Sequence, residues 1–261
     1  MYVYPKLPSA GRTTSFVRFS GSGLANCLFV YARAIQYSYH TGAVIITPTW
    51  FNISIGPYLR KQSDKRHYCG LFKSKNEIKG ISKWWILQFH KKQIKIEEGL
   101  GNYFGDLLND ASYIAKYIEK HIEPNLLCSV NAFNFINCVA VHIRLGDYPE
   151  KVRTPISWYK QKIEDLKKSN SRYKFCIFSD GKDEELMELT SMQSVQRVFF
   201  GNAIADIIAI SRCCYLIGSD STFSGWGAFL GQVPCCFYRK HYGRVLKDST
   251  KEYVESDENR W

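Results

Sequence analysis

The sequence predicts an α/β fold built on parallel sheets, and three observations support this. Short apolar runs such as 138–143 and 174–179 lack polar alternation, which is typical of strands covered on both faces. Segments with helical spacing separate these runs. Polar residues follow several of the runs directly, at the edge where parallel sheets place their ligand sites.

The amino-terminal half begins with a predicted strand over residues 15–20. A turn over 21–26 with two glycines follows, and then a helix with apolar residues at helical spacing from 28 to 39. Gly42 ends this helix, and 43–47 is the next predicted strand. The unit predicts a Rossmann-like domain. Its turn is not G-x-G-x-x-G, so the sequence does not indicate a dinucleotide site.

Residues 50–93 contain many turn formers and basic side chains and show no clear pattern. Helical spacing returns between 107 and 118, after Asn-Tyr-Phe-Gly. Because Pro and Asn then interrupt the chain, we place a domain boundary within 124–137. This predicts an amino-terminal domain, 1–130, and a carboxy-terminal domain, 131–261.

The carboxy-terminal half alternates strands with helices, which requires a parallel sheet and predicts a second Rossmann-like domain. The predicted strands are 138–143, 174–179, 197–200, 213–217 and 235–238, and the predicted helices are 157–168, 183–190, 203–212 and 223–230.

Most of the formal charge of +11 lies in one segment, residues 60–95. Eleven Lys or Arg residues stand there against Asp64 and Glu77, a net charge of +9. Such a segment suits either an anionic partner, including an acidic membrane surface, or a solvated loop that keeps the protein soluble. Trp84, Trp85 and Phe89 interleave with the lysines, but no sustained helical amphipathic period is visible.

The sequence predicts a cytoplasmic protein. No apolar run is long enough to span a bilayer, and residues 1–19 lack the order of a signal peptide. Nine cysteines, an odd count without C-x-x-C spacing, indicate buried thiols in a reducing compartment rather than disulfides or zinc ligands.

The run at 138–143 leads into His142-Ile-Arg-Leu-Gly-Asp147, a charged cluster at the end of a buried strand. One interpretation is an anion site in which the Arg144 guanidinium grips phosphate. The other is structural, with His142 bonded to the backbone and Arg144 paired with Asp147. These residues alone do not decide between the two.

Two more strands end in polar residues. Ser179 and Asp180 follow one of them, and Ser-Asp-Ser-Thr-Phe-Ser at 219–224 follows the other. A single such ending is an ordinary helix cap, but three at one edge of one sheet predict a binding crevice.

Five segments, in order, resemble the α-1,2-fucosyltransferase family: residues 22–32, 101–105, 142–147, 177–180 and 219–230. The family has a Gly-Gly-Leu-Gly-Asn-Gln turn, a His-x-Arg-Arg-Gly-Asp motif, a Phe-Ser-Asp-Asp segment and an Asn-Ser-Ser-Phe-Ser-Trp-Trp segment. The resemblance implies a GT-B architecture of two Rossmann-like domains facing across a cleft. It also implies an inverting, metal-independent transfer with GDP-β-L-fucose as donor.

The chain departs from these motifs at several positions. Leu145 replaces the second Arg, Gly181 the second Asp and Cys27 a Gln; Ala25, Asp220 and Gly225 are further departures. Because Leu145 and Gly181 remove charge near the expected donor and Cys27 alters the turn that should face it, another GDP- or UDP-sugar stays open as an alternative.

Glycosyl transfer needs a stabilised leaving diphosphate and a base for the acceptor hydroxyl. The sequence has no Asp-x-Asp metal motif, so we expect no metal cofactor and assign the diphosphate to protein groups. The expected donor-binding residues are His142, Gly23, Ser179, Asp180, Ser221, Thr222 and Phe223. The expected catalytic residues are Arg144, Asp147, Asn26 and Glu150, with Asp147 preferred as base and the Asn26 amide reaching across the cleft.

The expected partners are a nucleotide sugar and a glycan acceptor, either free or linked to lipid or phosphate. An anionic membrane surface is a further candidate partner for residues 60–95, with the solvated loop as the open alternative. Animal relatives have an amino-terminal membrane anchor. Because no apolar run long enough for such an anchor is visible here, the expected type is bacterial or viral. The rival hypothesis is a non-catalytic basic module that binds RNA or an anionic glycan through 60–95; the lysines and aromatic residues form no RNA-binding pattern, so no nucleic acid partner is expected.

Overall fold

The structure, a computed structural model, describes residues 1–59, 64–73, 75–146, 149–238 and 245–246. The chain divides into two compact units, Met1–Leu126 and Leu127–Trp261. Each unit contains a parallel sheet with helices packed on it. The predicted fold class, α/β with parallel sheets, is therefore confirmed.

The amino-terminal unit has a three-stranded parallel sheet in the order β3-β1-β5 and a two-stranded pair, β2 with β4. Its elements are β1 Tyr2–Pro5, β2 Arg18–Phe19, α1 Leu24–Thr41, β3 Val44–Ile45, β4 Asn52–Ile53, α2 Gly56–Leu59, α3 Gly80–Phe89, β5 Ile94–Glu97 and α4 Ala111–His121.

The prediction of a first strand over 15–20 is wrong. The first strand is β1, and only Arg18 and Phe19 of the predicted run are extended against a neighbour. A turn closed by the Val17 carbonyl, which accepts from the Thr14 N–H at 2.8 Å, occupies the start of the run. Arg18 is fully buried, and its Nε donates to the Thr49 carbonyl at 2.7 Å. Its apolar neighbours therefore lie around a buried charge rather than within the main sheet.

Helix α1 matches the prediction closely. Residues from Leu24 to Ile35 are mostly buried, which explains the helical spacing of the apolar side chains. Gly42 ends the helix in the left-handed conformation with φ of 70°, and its N–H donates to the Ser38 carbonyl. A glycine adopts this conformation without the steric cost of a Cβ.

Helix α3 lies within residues 50–93, where the sequence shows no clear pattern, and strand β5 follows that region directly. Lys83 points inward, with only 4% of its surface exposed, and donates from Nζ to Thr49 Oγ1 at 2.9 Å. Burial lowers the pKa of Lys83 to about 7. Glu77 is also buried, so not all charges of the 60–95 segment reach the surface. Residues 60–63 and 74 of that segment lie outside the described residues.

The carboxy-terminal unit has a five-stranded parallel sheet in the order β10-β9-β6-β7-β8. Its elements are α5 Cys128–Ala132, β6 Cys138–Ile143, α6 Ile156–Ser169, β7 Lys174–Ser179, α7 Asp183–Thr190, β8 Val195–Arg197, α8 Ala203–Ser211, β9 Tyr215–Gly218, α9 Thr222–Gly231 and β10 Cys235–Phe237.

Here the predicted and observed elements agree to within a few residues. Every residue of β6 is buried, as expected of a central strand with helices on both faces. The differences are small: β8 begins at Val195 rather than 197, and β9 at Tyr215 rather than 213. For the acidic tail, residues 247–261, the sequence predicts a terminal helix or a loose end, and these residues lie outside the described ones.

All nine cysteines lie within the described residues as free thiols. Six are buried as predicted, but Cys69, Cys128 and Cys214 are exposed, so the prediction of a buried thiol is wrong for these three. Among the helices of the described ranges, none is long and apolar enough to cross a membrane.

Candidate functional site

Three parallel strands of the carboxy-terminal sheet end at the same level. In the register of the sheet, Ile143 at the end of β6 is paired with Ser179 at the end of β7. On the other side of β6, His142 is paired with Gly218 at the end of β9. The polar residues that follow these strands therefore meet at one edge, as the sequence predicts.

Asp180 organises the loop after β6. Its Oδ1 accepts hydrogen bonds from the backbone N–H groups of Leu145 at 2.8 Å and Gly146 at 3.1 Å. Its Oδ2 forms an ion pair with Arg144 Nη1 at 2.7 Å. One carboxylate thus fixes the backbone of the loop and the guanidinium that it carries.

Gly146 is needed for this arrangement. A Cβ at this position would stand 2.5 Å from Asp180 Oδ2, which is closer than atoms can pack. Gly181 is constrained in the same way, because a Cβ there would stand 2.5 Å from Leu145 Cδ1. Leu145 and Gly181 are therefore in contact with each other. They stand where the family's motifs carry a second Arg and a second Asp.

His142 is buried beside the edge and bonded to two hydroxyls. Its Nδ1 lies 2.6 Å from Ser224 Oγ and 3.0 Å from Ser219 Oγ. The Phe223 ring stacks on the imidazole, with centroids 4.8 Å apart and planes inclined by 18°. Burial lowers the pKa of His142 to about 3; the Asp180 carboxylate opposes this shift, and the Arg144 charge adds a smaller lowering. The imidazole is therefore neutral at pH 7.

Helix α9 begins at this edge. Ser221 caps the helix, and its side chain accepts from the Ser224 N–H at 3.3 Å. Thr222 and Phe223, partly buried, form the first turn. The first N–H groups of a helix carry a partial positive charge, so this end of α9 favours an anion.

Arg197 and Ser179 support the loop after β7. Arg197 Nη2 donates to the carbonyls of Ser179 at 3.1 Å and Gly181 at 2.8 Å, and Nη1 pairs with Asp183. The Ser179 hydroxyl accepts from the Gly181 N–H at 3.0 Å. Arg197, Ser219 and Ser224 are not among the site residues expected from the sequence. The two serines flank a predicted helix start, a signal that also fits ordinary capping.

The two candidate bases differ in what the structure describes. Glu150 is exposed and begins a short 3-10 helix, Glu150–Val152. Asp147 lies outside the described residues, so its prediction as base and its alternative as the partner of Arg144 both stay predictions. Among the described residues, Arg144 pairs with Asp180.

Gly23 and Asn26 belong to the amino-terminal unit. Gly23 precedes α1 in an extended conformation, and Asn26, partly buried, lies in its first turn. The Leu24 N–H donates to Tyr68 Oη at 2.7 Å, and that hydroxyl donates to Asp64. The start of α1 is thus tied to a residue 44 positions away in the sequence.

In the described part of the chain, no group of three His, Cys, Asp or Glu side chains is arranged to hold a metal ion.

The sequence profile of glycosyl transferase family 11 matches residues 110–234, a stretch that contains this edge of the sheet. Over this segment, just under half of the chain, the sequence is similar to glycosyl transferase family 11. The segment is therefore of the glycosyltransferase type. No curated protein matches the chain in sequence.

Several solved structures share the fold at low sequence identity. One is the α-1,6-fucosyltransferase NodZ, from Bradyrhizobium, co-crystallised with GDP; it matches with 12% identity and a TM-score of 0.53, covering 89% of this chain and 92% of that chain. A point mutant of Arabidopsis thaliana FUT1 in complex with GDP matches with 12% identity and a TM-score of 0.52, covering 94% of this chain and 74% of that chain. POFUT1 in complex with GDP matches with 10% identity and a TM-score of 0.50, covering 93% and 98%. The predicted α/β fold of the GT-B type is confirmed by these similarities.

Proposed function

We propose that this glycosyltransferase transfers L-fucose from GDP-β-L-fucose to a hydroxyl of a glycan, forming an α-1,2 linkage with inversion at the anomeric carbon. The observation that carries the proposal is the ion pair by which Asp180 holds the Arg144 guanidinium. Both residues follow parallel strands at one edge of the carboxy-terminal sheet, within the segment 110–234 that matches the family. The similar folds of three fucosyltransferases described with GDP support the choice of donor.

Arg144 is assigned to the diphosphate of the donor. Its side chain is one-third exposed, so it is accessible while remaining anchored at Nη1. A guanidinium can bind two oxygens of a phosphate at once, and its charge compensates the charge that grows on the diphosphate as the sugar departs. The amino-terminal end of α9, with Ser221 and Thr222, is assigned to the same anion.

His142 and Phe223 are assigned to the nucleotide side of the site. The neutral imidazole, fixed by two serine hydroxyls, forms a rigid support for the Phe223 ring. Phe223 is partly buried, which leaves aromatic surface for contact with the donor. Ser179 and Asp180 act in donor binding through the loop that they hold in place.

In the proposed reaction an acceptor hydroxyl oxygen attacks the anomeric carbon of fucose from the face opposite the diphosphate. The new carbon–oxygen bond forms as the bond to the diphosphate breaks, the hydroxyl proton passes to a carboxylate, and GDP departs. We assign the proton to Asp147, with Glu150 as the alternative. The Asn26 amide and the Gly23 backbone are assigned to the donor from the family resemblance. The proposal includes no metal.

The acceptor, free or linked to lipid or phosphate, is a glycan, and the protein is proposed to act at the cytoplasmic side of a membrane as a peripheral enzyme. The nine free thiols fit a reducing compartment.

A donor other than GDP-fucose is the alternative that one specific observation favours. Leu145 and Gly181, in contact with each other, stand where the family's motifs carry a charged pair.

Calorimetric titration of the purified protein with GDP and with UDP, in the presence of EDTA, tests the proposal. Micromolar binding of GDP with much weaker binding of UDP is expected, followed by GDP release from GDP-fucose when a glycan acceptor is added. A preference for UDP would overturn fucose as the donor sugar. Loss of turnover on chelation would overturn the metal-independent mechanism.

A further inference from the structure

Helix α3 of the amino-terminal unit presents its apolar stripe to solvent. The exposed side chains are Ile81, Trp84, Trp85 and Phe89, with 82%, 40%, 51% and 61% of their surfaces accessible. Their spacing of three and four residues places them on one face of the helix. The opposite face, which packs against the unit, carries Lys83 and Ile86. Helix α3 therefore carries apolar side chains on its exposed face as well as on its buried face, unlike an ordinary surface helix.

The aromatic side chains of this stripe form a cluster. The rings of Trp85 and Phe89 have centroids 4.3 Å apart, and those of Trp84 and Phe89 are 6.0 Å apart. Single exposed apolar residues are common on proteins, but a contiguous aromatic face on one helix marks a contact surface. Trp is the side chain most suited to the boundary between lipid head groups and acyl chains.

Exposed lysines flank both ends of the stripe. Lys79 precedes the first residue of α3, and Lys91 and Lys92 follow its last turn. Lys95 lies two residues further on, at the start of β5, and its Nζ is 3.8 Å from Glu97. Cations around an apolar face are the pattern of helices that lie in the plane of an anionic bilayer.

We propose that α3 docks on the surface of an anionic lipid bilayer, with Ile81, Trp84, Trp85 and Phe89 inserted at the head-group level. Lys79, Lys91 and Lys92 contact the phosphate groups of the lipids. This binding needs neither donor nor acceptor, so it does not depend on the proposed glycosyl transfer. It would hold the enzyme at the surface where a lipid-linked glycan is presented.

The lysines that flank the stripe favour an anionic bilayer over a protein partner. A protein partner for a cluster of Trp and Phe would need an apolar groove with acidic residues at both ends. An anionic bilayer has an apolar layer directly beneath a layer of negative head groups. It therefore matches both the apolar stripe and the flanking lysines without a dedicated partner protein.

Co-sedimentation of the protein with vesicles tests the inference. Vesicles of equimolar phosphatidylcholine and phosphatidylglycerol are expected to bind the protein, and vesicles of phosphatidylcholine alone to bind it at least tenfold more weakly. The double substitution Lys91→Gln and Lys92→Gln is expected to weaken binding to the anionic vesicles by about fivefold for each lysine. Trp84→Ser with Trp85→Ser is expected to weaken it by about tenfold or more, because the apolar anchor is lost.

Matched controls come from the same chain. Lys116 and Lys120 are exposed on α4 of the same unit, and replacing both with Gln removes the same charge. Phe199, with 72% of its surface exposed, is an apolar side chain in the other unit. Neither Lys116→Gln with Lys120→Gln nor Phe199→Ser is expected to change vesicle binding more than twofold.

Circular dichroism and calorimetric GDP binding check that each variant is folded. Equal binding of all folded variants, or equal binding to neutral and anionic vesicles, would overturn the inference. Retained GDP binding with lost vesicle binding would separate this inference from the proposed donor chemistry. A folded wild-type protein that binds no anionic vesicles would overturn it outright.

Discussion

Arg144 and Asp180 follow neighbouring parallel strands and form an ion pair, with Nη1 and Oδ2 2.7 Å apart. The same carboxylate accepts two backbone N–H groups of the loop that carries Arg144. A charge held in this way is already oriented before a ligand arrives, which reduces the entropy lost on binding. This preorganisation is the basis for the first two predictions.

Replacing Arg144 with Ala should weaken GDP binding by about 10- to 100-fold, since a hydrogen bond to a charged group contributes roughly 1.5–3 kcal/mol. Arg144→Lys should recover only part of the affinity, because an ammonium keeps the charge but loses the planar fork. Calorimetry with GDP measures both variants. Arg172→Ala, an exposed arginine of the same unit, is the control. Unchanged GDP affinity in Arg144→Ala would remove the phosphate role from this residue.

A double-mutant cycle tests whether Asp180 acts through Arg144. Asp180→Asn alone should weaken GDP binding by severalfold, because the guanidinium is less firmly oriented. Adding Asp180→Asn to Arg144→Ala should cause no further loss, because the group that Asp180 orients is then absent. Calorimetric GDP affinities of the four proteins close the cycle. Additive losses would instead assign Asp180 a direct contact with the nucleotide.

The carboxy-terminal unit could be predicted from sequence because its signals are local. The β6 strand is apolar along its whole length since helices cover both of its faces, and β7 has the same character. Parallel strands then bring their ends to one edge without further information. The choice of partner for Arg144 was not accessible in this way. It depends on the pairing of Ile143 with Ser179, a register that the sequence does not state.

The strand over 15–20 and the helix α3 of the amino-terminal unit could not be predicted correctly from the sequence, for a physical reason. The residues at 15–20 have strand-forming side chains, but the buried Arg18 is satisfied there by backbone carbonyls rather than by sheet neighbours. In α3 apolar residues lie on both faces: Trp84 and Trp85 are exposed, whereas Ile86 is buried beside Lys83. A surface helix is recognised in a sequence by an apolar face that alternates with a polar one. Helix α3 lacks this alternation, so its sequence shows no recognisable helical period.

Burial of His142 predicts a specific loss of stability in acid. Its pKa is about 3 in the folded protein and about 6.5 in the unfolded chain, so only the unfolded chain takes up a proton as the pH falls below 6.5. Folding stability is therefore lost from pH 6.5 downward until the folded protein is also protonated near pH 3. At pH 5 the contribution of this residue should be a loss of about 2 kcal/mol. Urea unfolding at pH 7 and pH 5 measures it.

The His142→Asn variant is the control for this loss. It lacks the titrating group, so its stability should fall less between pH 7 and pH 5 than that of the wild type, even if it is less stable at both. Groups elsewhere in the chain titrate equally in both proteins, and the difference isolates His142. Equal falls in the two proteins would contradict the buried neutral imidazole.

Gly23 offers a test of backbone approach by the donor. A Cβ at Gly23 would have Tyr68 Oη as its nearest contact, at 3.9 Å, and the backbone is extended, with φ of −62°. Gly23→Ala should therefore cost no more than about 1 kcal/mol of stability, the usual difference between helix caps. If the donor approaches this backbone, turnover should fall at least severalfold. Thermal unfolding and GDP release from GDP-fucose measure the two effects.

The matched variant is Gly181→Ala, where the added Cβ would stand 2.5 Å from Leu145 Cδ1. This variant should lose about 1–3 kcal/mol of stability through overpacking. A stable Gly23→Ala protein with full turnover would withdraw Gly23 from the donor-binding residues.

The base can be identified by separating donor binding from turnover. A base acts on the acceptor hydroxyl and contributes typically 10²- to 10⁴-fold to the rate, without a required contact to GDP. Asp147→Asn should therefore keep the GDP affinity and lower the rate of transfer by about 100-fold or more, whereas Glu150→Gln should leave the rate within a few-fold of the wild type. The reverse ranking would assign the proton to Glu150. A decrease in stability and GDP affinity in Asp147→Asn, without a separate effect on turnover, would favour a structural role for that carboxylate.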